Sequence, residues 1–398
     1  MPIVGDVRAA PRGRPQTTPD APGLYLHVPF CSAICPYCDF AVLTGGAEKR
    51  RRFVASLLDE IDLWRDSGWR GFDTIYFGGG TPSALEPAQI GQILEAIYTT
   101  FPDSRGARIF LEANPEDATA ETFAALRSLG VATLSLGVQS FDPGELAFLG
   151  RRHAPDQAER SFQLAREAGF TTVSLDLIFG LPGQTPAAWR RSLEAAVGLG
   201  AEHISCYQLT IHEGTPFGFR RDRGQLAEMP EPAQAEIFHL THQLLGDAGY
   251  EGYEVSNFAR SPEHRSRHNQ KYWRHVPYLG LGPSAHSFDG KRRWWNERKL
   301  GPWETKIERR ERPVAEEETL TAANLALETL MLGLRTKEGL DLQDFRERYG
   351  VDLEAKNAGL IERAIESGLL VREGESLKPT LVGFAVADGL ARDFEVGK

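Results

Sequence analysis

Runs of β-branched and apolar residues alternate with amphipathic stretches over the first two thirds of this 398-residue chain. The predicted strands are Leu24–Val28, Thr74–Phe77, Arg108–Glu112, Thr133–Val138, Val173–Phe179 and His203–Leu209. The predicted helices after them are Phe53–Trp64, Ile90–Tyr98, Ala120–Leu129, Gln157–Ala168, Ala187–Val197 and Ala235–Leu245. Six successive strand–helix units imply parallel strands with right-handed crossovers. The fold class is therefore α/β. Periodicity alone is compatible both with a partial barrel and with an open doubly wound sheet.

Polar and glycine-rich residues stand at the carboxyl ends of these strands. They are Cys31 to Asp39, Gly78 to Thr81, Glu112 to Asn114, Gln139 with Ser140, Asp176, and Tyr207 with Gln208. Ligands bind beyond these ends both in barrels and in open parallel sheets. Six loops therefore deliver their side chains to one candidate site.

The remaining regions differ from this pattern, which stops near Gly249. Residues 1–22 lack an apolar segment, so they are predicted to be a disordered lead-in rather than a secretory signal. They precede a core of residues 23–250 and an aromatic, histidine-rich extension of residues 251–312. Residues 291–312 of the extension hold nine Lys and Arg against four Glu. This basic stretch is either a solvated interdomain linker or a contact surface for an acidic client, a membrane or heme propionates.

Residues 313–398 have the pattern of helices followed by a hairpin. The predicted helices are Ala322–Gly333, Leu342–Tyr349 and Leu360–Ser367, and the β-type segments are Leu369–Arg372 and Leu377–Pro379. This order is typical of a winged-helix-like module. Its acidic helices argue against phosphate binding, so we expect domain packing or client docking there.

Composition excludes several classes of protein. With 41% hydrophobic and 25% charged residues, the chain can build a packed core, so it is not a disordered protein. Its 45 Lys and Arg against 55 Asp and Glu give a net charge of −10, which argues against a nucleic-acid partner. No apolar run reaches the roughly 20 residues of a spanning helix. We expect a cytoplasmic protein.

Three of only four cysteines, Cys31, Cys35 and Cys38, fall within eight residues directly after the first strand. Such clustering in a chain without a disulfide framework indicates a metal or redox centre. Zinc would need a fourth ligand, for which His27 and Asp39 are candidates. A [4Fe–4S] cluster held by three thiolates would leave one iron open to a ligand.

The spacing of three and then two residues between these cysteines resembles that of the radical S-adenosylmethionine (SAM) family. Further segments resemble its coproporphyrinogen III oxidase-like branch, from about Tyr25 to the C-terminus. The matching runs begin at Tyr25, Cys35, Phe77, Leu136, Asp176 and Tyr253. The resemblance implies a partial (β/α)6 barrel of the TIM type, followed by a helical, winged-helix-like domain. It also implies a [4Fe–4S] cluster on Cys31, Cys35 and Cys38.

The resemblance selects nine residues as contacts of SAM. They are Tyr25, Tyr37, Gly79, Gly80, Thr81, Glu112, Gln139, Arg151 and Asp176. Glycines at a strand end allow close approach to a ligand, and Glu112 could accept hydrogen bonds from ribose hydroxyls. Gln139, Arg151 and Asp176 match positions that contact a second SAM in relatives. The alternative for the last two is an ion pair between Arg151 and Asp176.

Two features separate the enzymes of this branch from its heme chaperones. Phe40 stands where the oxidases carry a further cysteine that decarboxylation needs, and a phenyl ring cannot do thiol chemistry. The run Arg267 to Trp273 fits a chaperone motif, in which His268 could ligate heme iron and Tyr272 and Trp273 could contact a porphyrin. The alternative is a surface histidine beside core aromatics.

The sequence thus predicts a protein that binds a [4Fe–4S] cluster, SAM and heme and delivers heme to apo-hemoproteins, with respiratory enzymes among the candidate clients. Peripheral membrane contact and a homodimer are further expectations. The alternative function is oxygen-independent oxidation of coproporphyrinogen III in porphyrin biosynthesis.

Overall fold

The computed structural model describes residues 21–397, so nearly all of the predicted lead-in lies outside the described residues. Six strands run parallel in chain order through the middle of the main sheet. They are β1 Gly23–Val28, β2 Thr74–Gly79, β3 Arg108–Ala113, β4 Val131–Gln139, β5 Thr172–Phe179 and β6 His203–Gln208. The first eight helices are α1 Ala47–Leu63, α2 Pro87–Thr100, α3 Ala120–Ser128, α4 Pro143–Phe148, α5 Pro155–Glu167, α6 Pro186–Leu199, α7 Pro216–Asp222 and α8 Glu231–Asp247.

The helix ends follow local chemistry. Pro186 occupies the first turn of α6, where its missing N–H costs nothing, and the Thr185 hydroxyl accepts from the Ala188 amide at 3.2 Å. Gly200 ends the same helix at φ +77°, a conformation that glycine adopts readily. Such signals explain why all six predicted strand–helix units are confirmed.

The polar inward-facing residues of neighbouring strands line a single cavity. Its wall includes Tyr76, Glu112, Ser135, Asp176 and Ser205, which belong to β2, β3, β4, β5 and β6. A flat sheet could not surround one cavity with five of its strands. The sheet therefore curves into a partial barrel, as predicted.

The extension enlarges this sheet at both edges. Its elements are β7 Glu251–Gly252, β8 Asn257–Ala259, α9 Asn269–Trp273, β9 Tyr278–Leu281, β10 His286–Phe288, β11 Arg292–Asn296, α10 Leu300–Glu308 and β12 Val314–Thr319. The resulting order is β12-β11-β10-β9-β1-β2-β3-β4-β5-β6-β8-β7, with β9 parallel to β1. Strand β12 lies in this sheet, although the predicted C-terminal domain begins at residue 313.

The basic stretch 291–312 is not a solvated linker. It forms β11 and α10, and Trp294 and Trp303 are buried in the main hydrophobic core. The linker prediction is wrong because it weighed the charges and not the tryptophans between them. The nine lysines and arginines of the stretch are exposed or only partly buried.

The C-terminal unit has a second hydrophobic core of its own, which begins at Ala326. Its elements are α11 Ala322–Gly333, β13 Leu340–Asp341, α12 Leu342–Tyr349, α13 Leu353–Glu366, β14 Leu370–Glu373, β15 Ser376–Pro379, α14 Leu381–Ala385 and α15 Ala387–Asp393. Three helices and the three-stranded sheet β13-β15-β14 give the predicted winged-helix-like arrangement. Helix α13 begins seven residues before the predicted start at Leu360. Among residues 21–397 no helix is long and apolar enough to cross a membrane.

Candidate functional site

The loop between β1 and α1 brings the three clustered cysteines to the carboxyl end of the barrel. The Cys31 amide donates to the Leu43 carbonyl at 3.0 Å, and the Leu43 amide donates to the Pro29 carbonyl at 2.7 Å. These bonds tie the two ends of the loop together. Cys31, Cys35 and Cys38 are free thiols, partly exposed, and all line one cavity of about 460 Å³.

Two side chains donate hydrogen bonds to the thiols. The Thr81 hydroxyl lies 3.5 Å from Sγ of Cys31, and Nη1 of Arg151 lies 3.6 Å from Sγ of Cys35. Burial nevertheless raises the pKa of the Cys31 thiol and raises that of Cys38 to about 11. The protein alone therefore favours thiols, and deprotonation would be driven by bound metal.

The cavity suits an iron–sulfur cluster better than a zinc ion. A zinc ion needs four donors within about 2.3 Å of one point, and within residues 21–397 no three His, Cys, Asp or Glu groups are placed to hold one ion. The two candidate fourth ligands are occupied. Both ring nitrogens of His27 have partners, the Tyr25 hydroxyl at 3.1 Å and the Ala41 carbonyl at 2.9 Å, and Asp39 pairs with His212. Three thiols on one wall fit a group with several irons, each bound by a different thiolate.

Glycines let the end of β2 lie against the cysteine loop. Gly79 has φ +111°, and a Cβ there would meet the His27 ring at 2.7 Å. At Gly80 a Cβ would come within 2.7 Å of the Phe30 carbonyl oxygen and 3.0 Å of Sγ of Cys31. A larger residue at Gly80 would force β2 and the cysteine loop apart, and one at Gly79 would collide with His27 of β1.

The backbone donors of this glycine loop are already used. The Gly80 amide donates to the Val28 carbonyl at 2.8 Å, and the Thr81 amide donates to the Phe30 carbonyl at 2.7 Å. A loop whose donors are consumed is poorly suited to an anion and favours a ligand group that donates hydrogen bonds. An ammonium group, such as the amino group of a methionine moiety, meets that requirement.

Glu112 connects the glycine loop to the barrel interior. Its Oε2 accepts from the Gly79 amide at 3.2 Å, and its Oε1 accepts from the Tyr76 hydroxyl at 2.7 Å. Burial raises its pKa to about 7, and repulsion from Asp176 adds to the shift. The carboxyl group lines the cavity, where the sequence predicted a contact with ribose.

Arg151 does not pair with Asp176. Its Nη2 donates instead to Oδ1 of Asn114 at 2.6 Å and to the Gly137 carbonyl at 2.9 Å. The alternative of an Arg151–Asp176 ion pair is therefore wrong, because the guanidinium turns towards the ends of β3 and β4. It lies beside the cysteine loop instead.

Asn114 joins this arginine to the first cysteine. Its Nδ2 donates to the Thr81 hydroxyl at 2.8 Å, and that hydroxyl donates to Cys31. A continuous chain thus runs from Arg151 through Asn114 and Thr81 to a thiol. Sequence reasoning placed Asn114 among the strand-end polar residues but assigned it no role, because the bond partners lie on other strands.

Asp176 lies deeper in the cavity among hydroxyl groups. It accepts from Ser135 at 2.9 Å and from Ser174 at 3.4 Å, and Ser205 also lines the wall. Burial raises the pKa of Asp176 above its ordinary value. The three serines were missed because single serines inside apolar strands carry no distinct signal.

Of the remaining predicted SAM residues, two line the wall of the main cavity and one lies behind that wall. Tyr37 and Gln139 line the cavity, Tyr37 near the Phe217 ring at 6.4 Å and Gln139 at an unusual φ of +66°. Tyr25 is bonded to His27 and stacks on Tyr76, so it supports the wall.

The three residues predicted to contact heme do not form one site. His268 is fully buried at the opposite end of the strands, with Nδ1 2.9 Å from the Thr74 hydroxyl and Nε2 2.9 Å from the Tyr272 hydroxyl. Its ring stacks on Tyr76 at 5.1 Å, and burial lowers its pKa to about 3. Trp273 lines a separate cavity of about 210 Å³ against the C-terminal unit. Heme ligation by His268 stays a prediction, and it would require the imidazole to leave both partners.

Phe40 stands at the mouth of the main cavity. Its side chain is 64% exposed, two residues after the last clustered cysteine. An exposed phenyl ring contributes little to the stability of the fold, so its position at a cavity mouth points to binding. No sulfur is available at that position.

Known proteins resemble the chain over most of its length. Residues 25–196 match the radical SAM superfamily, and residues 320–386 match the HemN C-terminal domain. The chain is 36% identical to the heme chaperone HemW of Mycobacterium tuberculosis over 93% of this chain and 94% of that protein. It is 34% identical to HemW of Bacillus subtilis, with coverages of 87% and 92%.

A solved structure has the same architecture. Coproporphyrinogen III oxidase (HemN) from Escherichia coli, a radical SAM enzyme, superposes with a TM-score of 0.80 over 94% of this chain and 90% of that chain. The sequence identity is 22%, so this likeness concerns the fold alone.

Proposed function

The chain belongs to the HemW family within the radical SAM superfamily, and from this premise we propose that it is a heme chaperone, which binds heme and passes it to apo-hemoproteins. The observation that carries the proposal is Phe40. It stands exposed at the cavity mouth, in the place where the resembling oxidases have a cysteine. A chain without that thiol retains the cofactor site but lacks a group that decarboxylation needs.

The radical SAM domain implies a [4Fe–4S] cluster and SAM. We propose Cys31, Cys35 and Cys38 as the three protein ligands, with Thr81 and Arg151 stabilising the thiolates by hydrogen bonds. When bound, the cluster supplies an iron that is open to a ligand from outside the protein.

The other predicted residues would bind and orient SAM. Gly79 and Gly80 permit the methionine moiety to approach the backbone, and Glu112 presents a carboxyl group whose pKa near 7 lets it either accept or donate a hydrogen bond. Gln139 and Asp176 line the same cavity and would contact the nucleoside part. Arg151, bonded to Asn114, keeps the ends of two strands in register with the cysteine loop.

The alternative function is the oxidative decarboxylation of coproporphyrinogen III. The shared fold does not favour it, because the likeness to HemN is one of architecture. The missing thiol at Phe40 counts against it. Hemoproteins as a class are the proposed clients, and respiratory enzymes, membrane contact and a homodimer remain predictions.

One set of parallel assays tests the function. The protein is reconstituted anaerobically with iron and sulfide, then titrated with heme, mixed with an apo-hemoprotein acceptor such as apomyoglobin, and, in a separate sample with SAM and a reductant, incubated with coproporphyrinogen III. We expect a stable Soret shift, transfer of heme to the acceptor and no protoporphyrinogen IX. Turnover of coproporphyrinogen III, or the absence of heme binding, would overturn the proposal.

A further inference from the structure

Large apolar side chains are exposed on the rim of the main cavity. Ile34, Phe40 and Tyr207 all line the cavity, and their side chains are 51%, 64% and 40% exposed. Nothing within residues 21–397 covers them. Apolar groups gathered at a concave mouth mark the binding of an apolar ligand more often than they mark a feature of stability.

A histidine stands on the same rim beside a carboxylate group. Nδ1 of His212 lies 3.5 Å from Oδ2 of Asp39, and the two side chains are 46% and 44% exposed. The Thr215 hydroxyl donates to the His212 carbonyl at 2.7 Å, which fixes the backbone of the turn. With Asp39 beside Nδ1, Nε2 is the ring nitrogen left for an external metal, an arrangement common in metal-ligating histidines.

One guanidinium group contacts Asp39, and a second lines the same cavity. Arg152 is exposed and lines the cavity, and exposed Arg298 donates from Nη2 to the backbone oxygen of Asp39 at 2.6 Å. Guanidinium groups bind carboxylates by charge-assisted hydrogen bonds. The cavity rim and wall therefore combine an apolar surface, an exposed imidazole and two cations.

Heme has the complementary groups. It is a flat apolar macrocycle with an iron that accepts an axial imidazole and two propionates that carry negative charge. We propose that this rim is the heme site, with Nε2 of His212 as axial ligand and Asp39 as the residue that positions it. The inference rests on the proposed function, because it names where the cargo of that function binds.

This assignment differs from the prediction made from the sequence. His268 has both nitrogens hydrogen-bonded below the barrel, whereas His212 can be reached from outside without rearrangement of the fold. The motif that contains His268 then has another role, the closure of the barrel floor. Sequence reasoning passed over His212 because its partner Asp39 is distant along the chain.

The test is heme binding by the full, reconstituted chain, followed by absorbance and by resonance Raman spectroscopy of the ferrous form. In wild-type protein we expect an iron–histidine band. His212→Ala should abolish this band and raise the Kd for heme at least tenfold, and added imidazole should restore the spectrum. Asp39→Asn should keep the band but shift its frequency and raise the Kd by roughly tenfold, with unchanged iron and sulfide content.

His239→Ala is the matched control, because His239 is a half-exposed histidine on α8 outside the cavity wall. Its spectrum and Kd should equal those of the wild type. If His212→Ala keeps the band while His268→Gln loses it, this inference is overturned and the chaperone function stands. If wild-type protein binds no heme, the proposed function fails as well.

Discussion

At the scale of residues, the candidate site is held by hydrogen bonds between ends of different strands. Tyr76 illustrates this, because one face of its ring stacks on His268 at the barrel floor while its hydroxyl holds Glu112 near the glycine loop. Asn114 has the same role between Arg151 and Thr81. Single atoms on these side chains therefore set the shape of the candidate site.

Tyr76→Phe should weaken SAM binding without unfolding the protein. The change removes one donor to Glu112, worth about 1.5–3 kcal/mol for a bond to a charged group, and leaves the ring stacking intact. We expect the Kd for SAM to rise about tenfold in equilibrium dialysis with reconstituted protein. Tyr98→Phe, a half-buried tyrosine on α2, is the control. Equal affinities for the two variants would contradict a positioning role for Tyr76.

Gly80→Ala should reduce cluster content. The added Cβ would lie 2.7 Å from the Phe30 carbonyl and 3.0 Å from Sγ of Cys31, so β2 and the cysteine loop must separate. Iron and sulfide analysis after reconstitution should show less than half of the wild-type content. Gly106→Ala, where a Cβ meets nothing within 4 Å, should reconstitute fully. Full content in Gly80→Ala would show that the close approach is not required.

At the scale of elements, one buried carboxyl group joins α1 to the extension. Glu60 accepts from the Gly282 amide at 2.7 Å, from Asn296 at 2.7 Å and from the Trp303 indole at 3.2 Å. These three donors belong to separate segments of residues 282–303. Burial raises the pKa of Glu60 from about 4.5 to about 8.

This shift makes the contribution of Glu60 to stability depend on pH. Between pH 4.5 and 8 the folded state holds a proton that the unfolded state has lost, so the contribution is complete below pH 4.5 and declines as pH rises to 8. The slope is at most about 1.4 kcal/mol per pH unit. Glu60→Gln should therefore show a flatter dependence of its unfolding free energy on pH in denaturant titrations between pH 5 and 8.

Glu95→Gln, a change of an exposed residue on α2, should retain the wild-type slope. A Glu60→Gln protein with the same slope as wild type would mean that Glu60 stays ionised in the fold. Its three hydrogen-bond donors would then outweigh the desolvation caused by burial.

Helix α13 shows a second effect at this scale. Asn357 has non-helical angles inside it, and its Nδ2 donates to the carbonyl oxygens of Leu353 and Glu395 at 2.9 and 3.0 Å. Its Oδ1 accepts from the Glu395 amide at 2.8 Å. Contacts with Glu395 thus hold a kink at Asn357, and the helical turn before this kink is the part of α13 that precedes the predicted start at Leu360.

At the scale of the whole molecule, the two units are joined by apolar packing, in which Phe384 of α14 enters the main core, and by a group of charged side chains. Oε2 of Glu328 on α11 lies 2.6 Å from Nη2 of Arg293 on β11 and 3.1 Å from Nε2 of His275. All three side chains are only partly exposed, so the charges are weakly screened. This group couples the winged-helix-like unit to the sheet.

Glu328→Gln should uncouple the two units. Loss of the charge should lower the stability of the C-terminal unit by about 2 kcal/mol and separate its unfolding from that of the barrel in denaturant titrations. Limited proteolysis between β12 and α11 should become faster. Glu362→Gln, on the exposed face of α13, should unfold as the wild type does. A single unchanged transition in Glu328→Gln would show that apolar contacts alone hold the units together.

Local sequence patterns were enough to predict the alternation of strands and helices, the order of the winged-helix-like elements and the set of residues at the carboxyl ends of β1 to β6. These follow from local patterns, because periodicity, capping residues and turn glycines act within a few residues along the chain. The cysteine spacing also indicated its chemistry locally. The Ala322–Gly333 and Leu342–Tyr349 helices were predicted to the residue.

Which of these side chains contact one another depends on the folded chain and could not be predicted from local patterns. The basic stretch forms a strand and a helix because Trp294 and Trp303 pack into a hydrophobic core that is made mostly by other segments of the chain. Arg151 donates a hydrogen bond to Asn114 and does not pair with Asp176. His268 is bonded to Thr74 at the floor of the barrel, whereas His212 lies beside Asp39 on the rim of the cavity. Each of these pairings joins residues far apart in the chain, and no local pattern records the distance between such partners.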